Sequence, residues 1–84
     1  MMKYAIQLDK KMRERGVKGV DLVRITGRTH ANISRIRRGR IRSIRLDMLF
    51  TICDVLDCEP KDILIRLSDE EAEHLEKGVY ILQH

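Results

Sequence analysis

Apolar residues recur at helical intervals through nearly the whole of this chain, and glycines interrupt the pattern after short runs. That combination restricts the fold to several short helices packed on one another. The first segment spans residues 3–15, where Ile6, Leu8 and Met12 make an irregular apolar face and Gly16 is a C-terminal stop. The second spans 18–26, with Val20, Leu22, Val23 and Ile25 apolar and Gly27 closing it. The third spans 30–38. Thr29 precedes it, with a hydroxyl placed to accept an otherwise unpaired amide of the first turn, and Gly39 ends it. The fourth spans 46–56, where Leu46, Leu49, Phe50, Cys53 and Leu56 form an apolar stripe. A fifth opens at Pro60, a residue suited to the first helical turn, with Ile63, Leu64 and Leu67 directed at the core. Ser68-Asp69-Glu70-Glu71 reads as a capping box that opens a sixth piece ending near Lys77. Val79-Tyr80-Ile81-Leu82 is apolar and β-prone, and both a strand and a contact between copies are open there. The expected fold is therefore all-α: a compact five-helix domain over residues 1–67. A C-terminal extension, 68–84, adds a short helix and room for a terminal strand.

A chain of 84 residues holds one domain and not two. Charged residues are 36% of it, above the level of an ordinary soluble domain, while the net charge is only +4. The modest net value hides an asymmetry. Residues 1–46 carry 14 Lys/Arg against 3 Asp/Glu, a net of +11, and residues 47–84 carry 3 against 10, a net of −7. One half is suited to an anionic partner, either nucleic acid or an acidic membrane surface.

Several classes are set aside. Cys53 and Cys58 lie five apart in an apolar stretch, a spacing that matches no common zinc pattern and suits no disulfide within one helix. They read as reduced core or boundary residues. His30, His74 and His84 are far apart in sequence, so no metal or cofactor is expected. The methionines read as gap fillers in the core or as part of the chain's start, and Asp69-Glu70-Glu71 as the acidic first turn of a helix. There is no Gly-rich phosphate loop and no Ser/His/Asp or Cys/His arrangement, so no enzyme is expected. Nothing resembles a signal peptide or a membrane span, which predicts a cytoplasmic protein with no membrane partner. With one Phe, two Tyr and no Trp, the aromatic platforms of single-strand RNA readers are missing.

The pattern richest in chemistry is a pair of short helices joined across Gly27. In the second, Ile33 and Ile36 face inward, which leaves His30, Ala31, Ser34 and Arg35 facing out at helical spacing. A helix that reads a duplex needs this division: apolar residues that fix its angle, and short or forked polar residues that reach base edges. Arg35 can bond a guanine at two atoms, Ala31 can touch a thymine methyl, and Ser34 is a permissive hydrogen-bonding group. Asn32 is set to the side, within reach of a base or a phosphate. Arg28, Arg35, Arg37, Arg38, Arg40, Arg42 and Arg45 follow within 18 residues with no acidic residue among them. Most of these would bind phosphates and fix position without reading sequence.

These residues resemble a known family. From about Gln7 to Leu67 the chain is similar to the Cro/CI-type, or Xre-type, helix-turn-helix domain of phage repressors and small bacterial regulators. The similarity is carried by Asp21-Leu22-Val23, Gly27, Thr29, the Ile33/Ile36 pair, Ile44-Arg45-Leu46-Asp47-Met48-Leu49, and the stretch from Ile52 through Asp62-Ile63-Leu64. The resemblance implies five helices around one core. It implies that Thr29, His30, Ala31, Ser34 and Arg35, with Asn32 beside them, occupy the base-reading positions. It further implies that Arg38, Arg40, Arg42 and Arg45 occupy the phosphate-contacting loop and helix start. The chain departs from the family at Lys18, which stands where a polar cap and often a Gln are found and is expected to take over that phosphate contact. Val23 replaces a customary small residue. Arg28 replaces an apolar turn residue and is expected to turn toward the DNA backbone. The expected activity is that of a sequence-specific double-stranded DNA-binding regulator, a repressor acting as a homodimer on a palindromic operator, because one short helix buries too little surface for high specificity. The alternative is an antitoxin-like interaction module that also binds DNA and holds a protein partner through residues 68–84.

Overall fold

The segment expected to begin as a helix begins as a strand. In the computed structural model, which describes residues 2–82, β1 (Lys3–Ile6) is the central strand of a small sheet, and α1 is confined to Leu8–Arg15. Three further helices follow, α2 (Gly19–Thr26), α3 (His30–Arg37) and α4 (Leu46–Leu56), and then a single turn, α5 (Pro60–Ile63). The chain next extends as β2 (Leu64–Leu67), makes one more turn as α6 (Asp69–Ala72) and ends in β3 (Tyr80–Ile81). The sheet order is β2-β1-β3, and both pairings are antiparallel, with Ile6 opposite Leu64 on one side and opposite Tyr80 on the other.

The fold is thus mostly helical with a three-stranded sheet, and the all-α expectation is corrected at two places, residues 3–6 and 64–67. Residues 3–6 are extended because two distant segments pair with them, and Ala5 and Ile6 are fully buried between those partners. Residues 64–67 leave the helix after one turn for the same reason: the Gln7 amide already donates to the Ile63 carbonyl (2.9 Å), and the ladder continues from there. The capping box at Ser68 forms as expected, since the Ser68 hydroxyl accepts from the Glu71 amide (3.1 Å) and Glu71 accepts from the Ser68 amide (2.9 Å). The helix it opens stops at Ala72 rather than near Lys77. The terminal strand β3 is present at Tyr80–Ile81. Gln83 and His84, the end of the 68–84 extension, lie outside the described residues.

The core joins Ile6, Leu8 and Met12 to Leu22, Ile33, Ile36, Met48, Leu49, Ile52, Cys53, Leu56 and Ile63. The stripe read on α4 is shifted: Met48 and Ile52 are buried, whereas Leu46 and Phe50 are 65% and 50% exposed. Of the apolar residues in α2, Leu22 is buried and Val20 and Ile25 face solvent. Cys53 is a buried free thiol whose pKa burial pushes up to about 11, and Cys58 is free and half-buried.

Candidate nucleic-acid interface

The turn between α2 and α3 is set by local chemistry. Gly27 adopts φ +72°, a left-handed conformation that other residues resist, and its amide donates to the Val23 carbonyl (2.9 Å). Thr26 donates to the Leu22 carbonyl (2.6 Å) and accepts from the Arg28 amide (3.2 Å). The Thr29 hydroxyl caps α3 by accepting from the Asn32 amide (3.0 Å). At the start of α2 the Asp21 carboxylate accepts from the Lys18 amide (2.8 Å). Side chains thus cap the starts of both helices, Asp21 that of α2 and Thr29 that of α3.

Ile33 and Ile36, the buried residues of α3, pin it to the core. His30, Ala31, Ser34 and Arg35 are exposed, and so is the capping Thr29, while Asn32 is half-buried at the side. Beyond α3 the basic connection alternates. Ile41 and Ile44 pack against the core, so Arg40, Arg42 and Arg45 project into solvent on a loop held at two points. A cleft along this flank is lined by Asn32, Arg35, Arg40, Ile41, Arg42 and Ser43, which brings four of the anticipated residues together. Arg28 is exposed but belongs to another recess, beside Asp47 and Thr51 of α4. Arg45 is within 3.3 Å of Asp47. Lys18 is exposed at the start of α2, next to Gly19, where an added Cβ would stand 3.1 Å from the Arg37 guanidinium.

Arg37 leaves the arginine run for a structural task. Its guanidinium binds the Asp9 carboxylate on α1, with Nε at 2.8 Å from Oδ1 and a second nitrogen on the same oxygen, and Arg13 takes Oδ2 at 2.8 Å. Asp9 is the one buried charged residue among those described. Burial alone would raise its pKa, but hydrogen bonds and charge from Arg37 and then Arg13 outweigh that and hold the carboxyl below its usual range. The sequence signals only its direction: Arg37 follows Ile33 by four residues and so emerges on the inward side of the helix, while nothing in the spacing names Asp9 as its partner. Tyr80 carried no such signal. It reaches the other flank of α3 only because β3 pairs with β1, and it lines a cleft there with Asp9, Arg13, Ser34, Arg37 and Arg38.

Residues 7–69 match the model of the Cro/C1-type HTH DNA-binding domain. The chain belongs to this family. Its relatives include an uncharacterised HTH-type transcriptional regulator, YozG, of Bacillus subtilis (strain 168), 36% identical over 76 residues that cover 90% of each chain. Among solved structures, the regulator VanUg superposes with a TM-score of 0.60 at 25% identity, over 81% of this chain and 89% of its own. A protein of Bacteroides fragilis assigned as DNA-binding superposes with a TM-score of 0.65 at 22% identity, over 77% of this chain and all of its own, which shows the shared fold. The Cro/C1-type family is one of DNA-binding transcriptional regulators, not a class of enzymes. Among the described residues, no helix is long and apolar enough to cross a membrane.

Proposed function

We propose that this chain binds a palindromic duplex operator as a homodimer, each copy laying α3 in a major groove, and that it acts as a repressor. The observation that carries this reading is the division of α3. Two buried isoleucines fix the helix, while His30, Ala31, Ser34 and Arg35 are turned to solvent with basic residues alongside. In this reading Thr29, His30, Ala31, Asn32, Ser34 and Arg35 meet base edges. Lys18, Arg28, Arg38, Arg40, Arg42 and Arg45 meet phosphates. The half-buried Ile41 and Ile44 support it, because a loop that is already ordered loses little entropy when it binds. A two-fold dimer supplies the second half-site that a helix of eight residues needs.

Selection of bound sequences from random duplex DNA tests the reading. A two-fold symmetric consensus with half-sites about one helical turn apart is expected, and enrichment of no sequence at all would overturn it. If about five phosphates are neutralised per copy, log K should fall against log salt with a slope of roughly −4 to −5. Arg35→Ala is expected to cost about 1–3 kcal/mol in binding and to relax preference at one base pair, as read by competition between single-base operator variants. Arg42→Ala should instead weaken all sequences alike and flatten the salt slope by about 1, as read by titrations across salt concentrations. Equal losses on every sequence for Arg35→Ala would remove it from the readers.

A further inference from the structure

A helix lying in a major groove about 12 Å wide has a phosphate backbone on each side. The two shoulders of α3 are both equipped for one. Ser34 and Arg35 are consecutive, so they diverge by about 100° around the helix axis. Arg35 opens onto the cleft with Arg40, Arg42 and Ser43, and Ser34 onto the cleft with Arg38 and Tyr80. We propose that Arg38 and Tyr80, beside the base-reading Ser34, form a second phosphate notch, in which the Tyr80 hydroxyl, supplied by the C-terminal strand, donates to a backbone phosphodiester of the DNA strand across the groove from Arg40 and Arg42. The inference rests on α3 lying in the groove and adds a residue beyond the 7–69 segment that defines the family.

Three features make the notch. The first is charge: three guanidinium groups, of Arg13, Arg37 and Arg38, face one carboxylate, Asp9, so the cleft keeps a positive excess after the internal ion pairs are formed. Arg38 is exposed and Arg37 is held by Asp9, which leaves Arg38 as the guanidinium that reaches outward. The second is position. Tyr80 is 36% exposed, and its backbone is fixed by pairing with Ile6. The third is close approach at the end of α3. Gly39 has φ +70°, and a Cβ there would stand 3.1 Å from the Ile81 carbonyl and 3.3 Å from the Tyr80 Cβ. The strand thus lies directly on the turn that ends α3, and the tyrosine ring is carried to the helix's outer shoulder. Tyrosine suits the task, because its hydroxyl is a donor on a rigid ring and a phosphodiester oxygen is an acceptor.

The test uses the full chain, a selected duplex and the near-isosteric variant Tyr80→Phe, which keeps the ring and removes the hydroxyl. Loss of one hydrogen bond to a charged oxygen should weaken duplex binding roughly ten- to a hundredfold, with no change in thermal midpoint. Because the hydroxyl is neutral the salt slope should hold, whereas Arg38→Ala should reduce it by about 1. A scan of single methylphosphonate substitutions, with the unaltered protein, should show sensitive phosphates on both strands. One of them should lose its sensitivity in Tyr80→Phe. Unchanged affinity in Tyr80→Phe, or sensitivity confined to one strand, overturns the notch while leaving α3 in the groove. A titration of inorganic phosphate followed by ³¹P NMR separates the two sources of the ligand: Tyr80-dependent binding of free phosphate with unchanged duplex affinity also overturns it. A chain indifferent to every duplex in dilute buffer sinks both this inference and the function it rests on.

Discussion

Ile33→Ala is expected to lower the free energy of unfolding by about 3 kcal/mol. Ile33 is 2% exposed and shares its core with Leu22, Ile36 and Met48. Large-to-small changes at such sites cost about 2–5 kcal/mol, through lost burial and the cavity left behind. Small domains hold only about 5–15 kcal/mol in total, so the variant keeps little margin. For a chain of this size the thermal midpoint should fall by roughly 12–24 °C, at about 4–8 °C per kcal/mol. The effect on DNA binding should exceed that of any single surface arginine, because Ile33 and Ile36 are the two buried residues that set the angle of α3. Differential scanning calorimetry and duplex titration at a temperature where the variant is still folded separate the two effects. A midpoint within a few degrees of the parent would show that α3 is not anchored through Ile33.

Asp9→Ala is the second large effect, expected at about 2–3 kcal/mol. Removing one partner of a buried ion pair costs about 3–5 kcal/mol when the other charge is left without water. The expected loss is smaller because the side chains of Arg37 and Arg13 are 29% and 50% exposed and can turn outward. The consequence for α3 is specific: its last turn loses the tie to α1, and Arg37 becomes one more solvent-facing cation beside Arg38. Duplex binding should become steeper with salt even as the fold weakens. The same pair predicts acid sensitivity. The folded pKa of Asp9 lies below the usual aspartate value of 3.8. A carboxyl of this kind contributes stability that is fully present above its unfolded pKa and disappears as the pH falls through its folded one. Urea midpoints should therefore lose this contribution below about pH 4, and the loss should be absent in Asp9→Ala. Parallel acid profiles for the parent and the variant would contradict it.

Local chemistry made much of this molecule legible. The boundaries of α2 and α3 follow from residues a few positions apart: Gly27 with its positive φ, Thr29 capping Asn32, and the apolar pair Ile33 and Ile36. The exposure of His30, Ala31, Ser34 and Arg35 follows from the same spacing. What escaped depends on pairings across the chain. Tyr4 and Ile6 suit a strand, yet a strand there requires Arg66 and Leu64 on one side, and nothing near residue 4 announces residue 66. The stripe on α4 was shifted because Leu46 and Phe50 continue the helical spacing equally well, and only the position of the neighbouring elements selects Met48 and Ile52 for the core.

By itself the sequence determined the ends of α2 and α3, the inward isoleucines and the basic outer face of α3, because a cap, a left-handed glycine and a 3.6-residue period act within one or two turns. The tertiary structure alone decided that residues 3–6 are a strand, that Arg37 holds Asp9, and that Tyr80 stands beside Ser34 and Arg38. Each of these joins residues 28 or more positions apart, where the spacing along the chain carries no trace of proximity and only closure of the core brings the partners together.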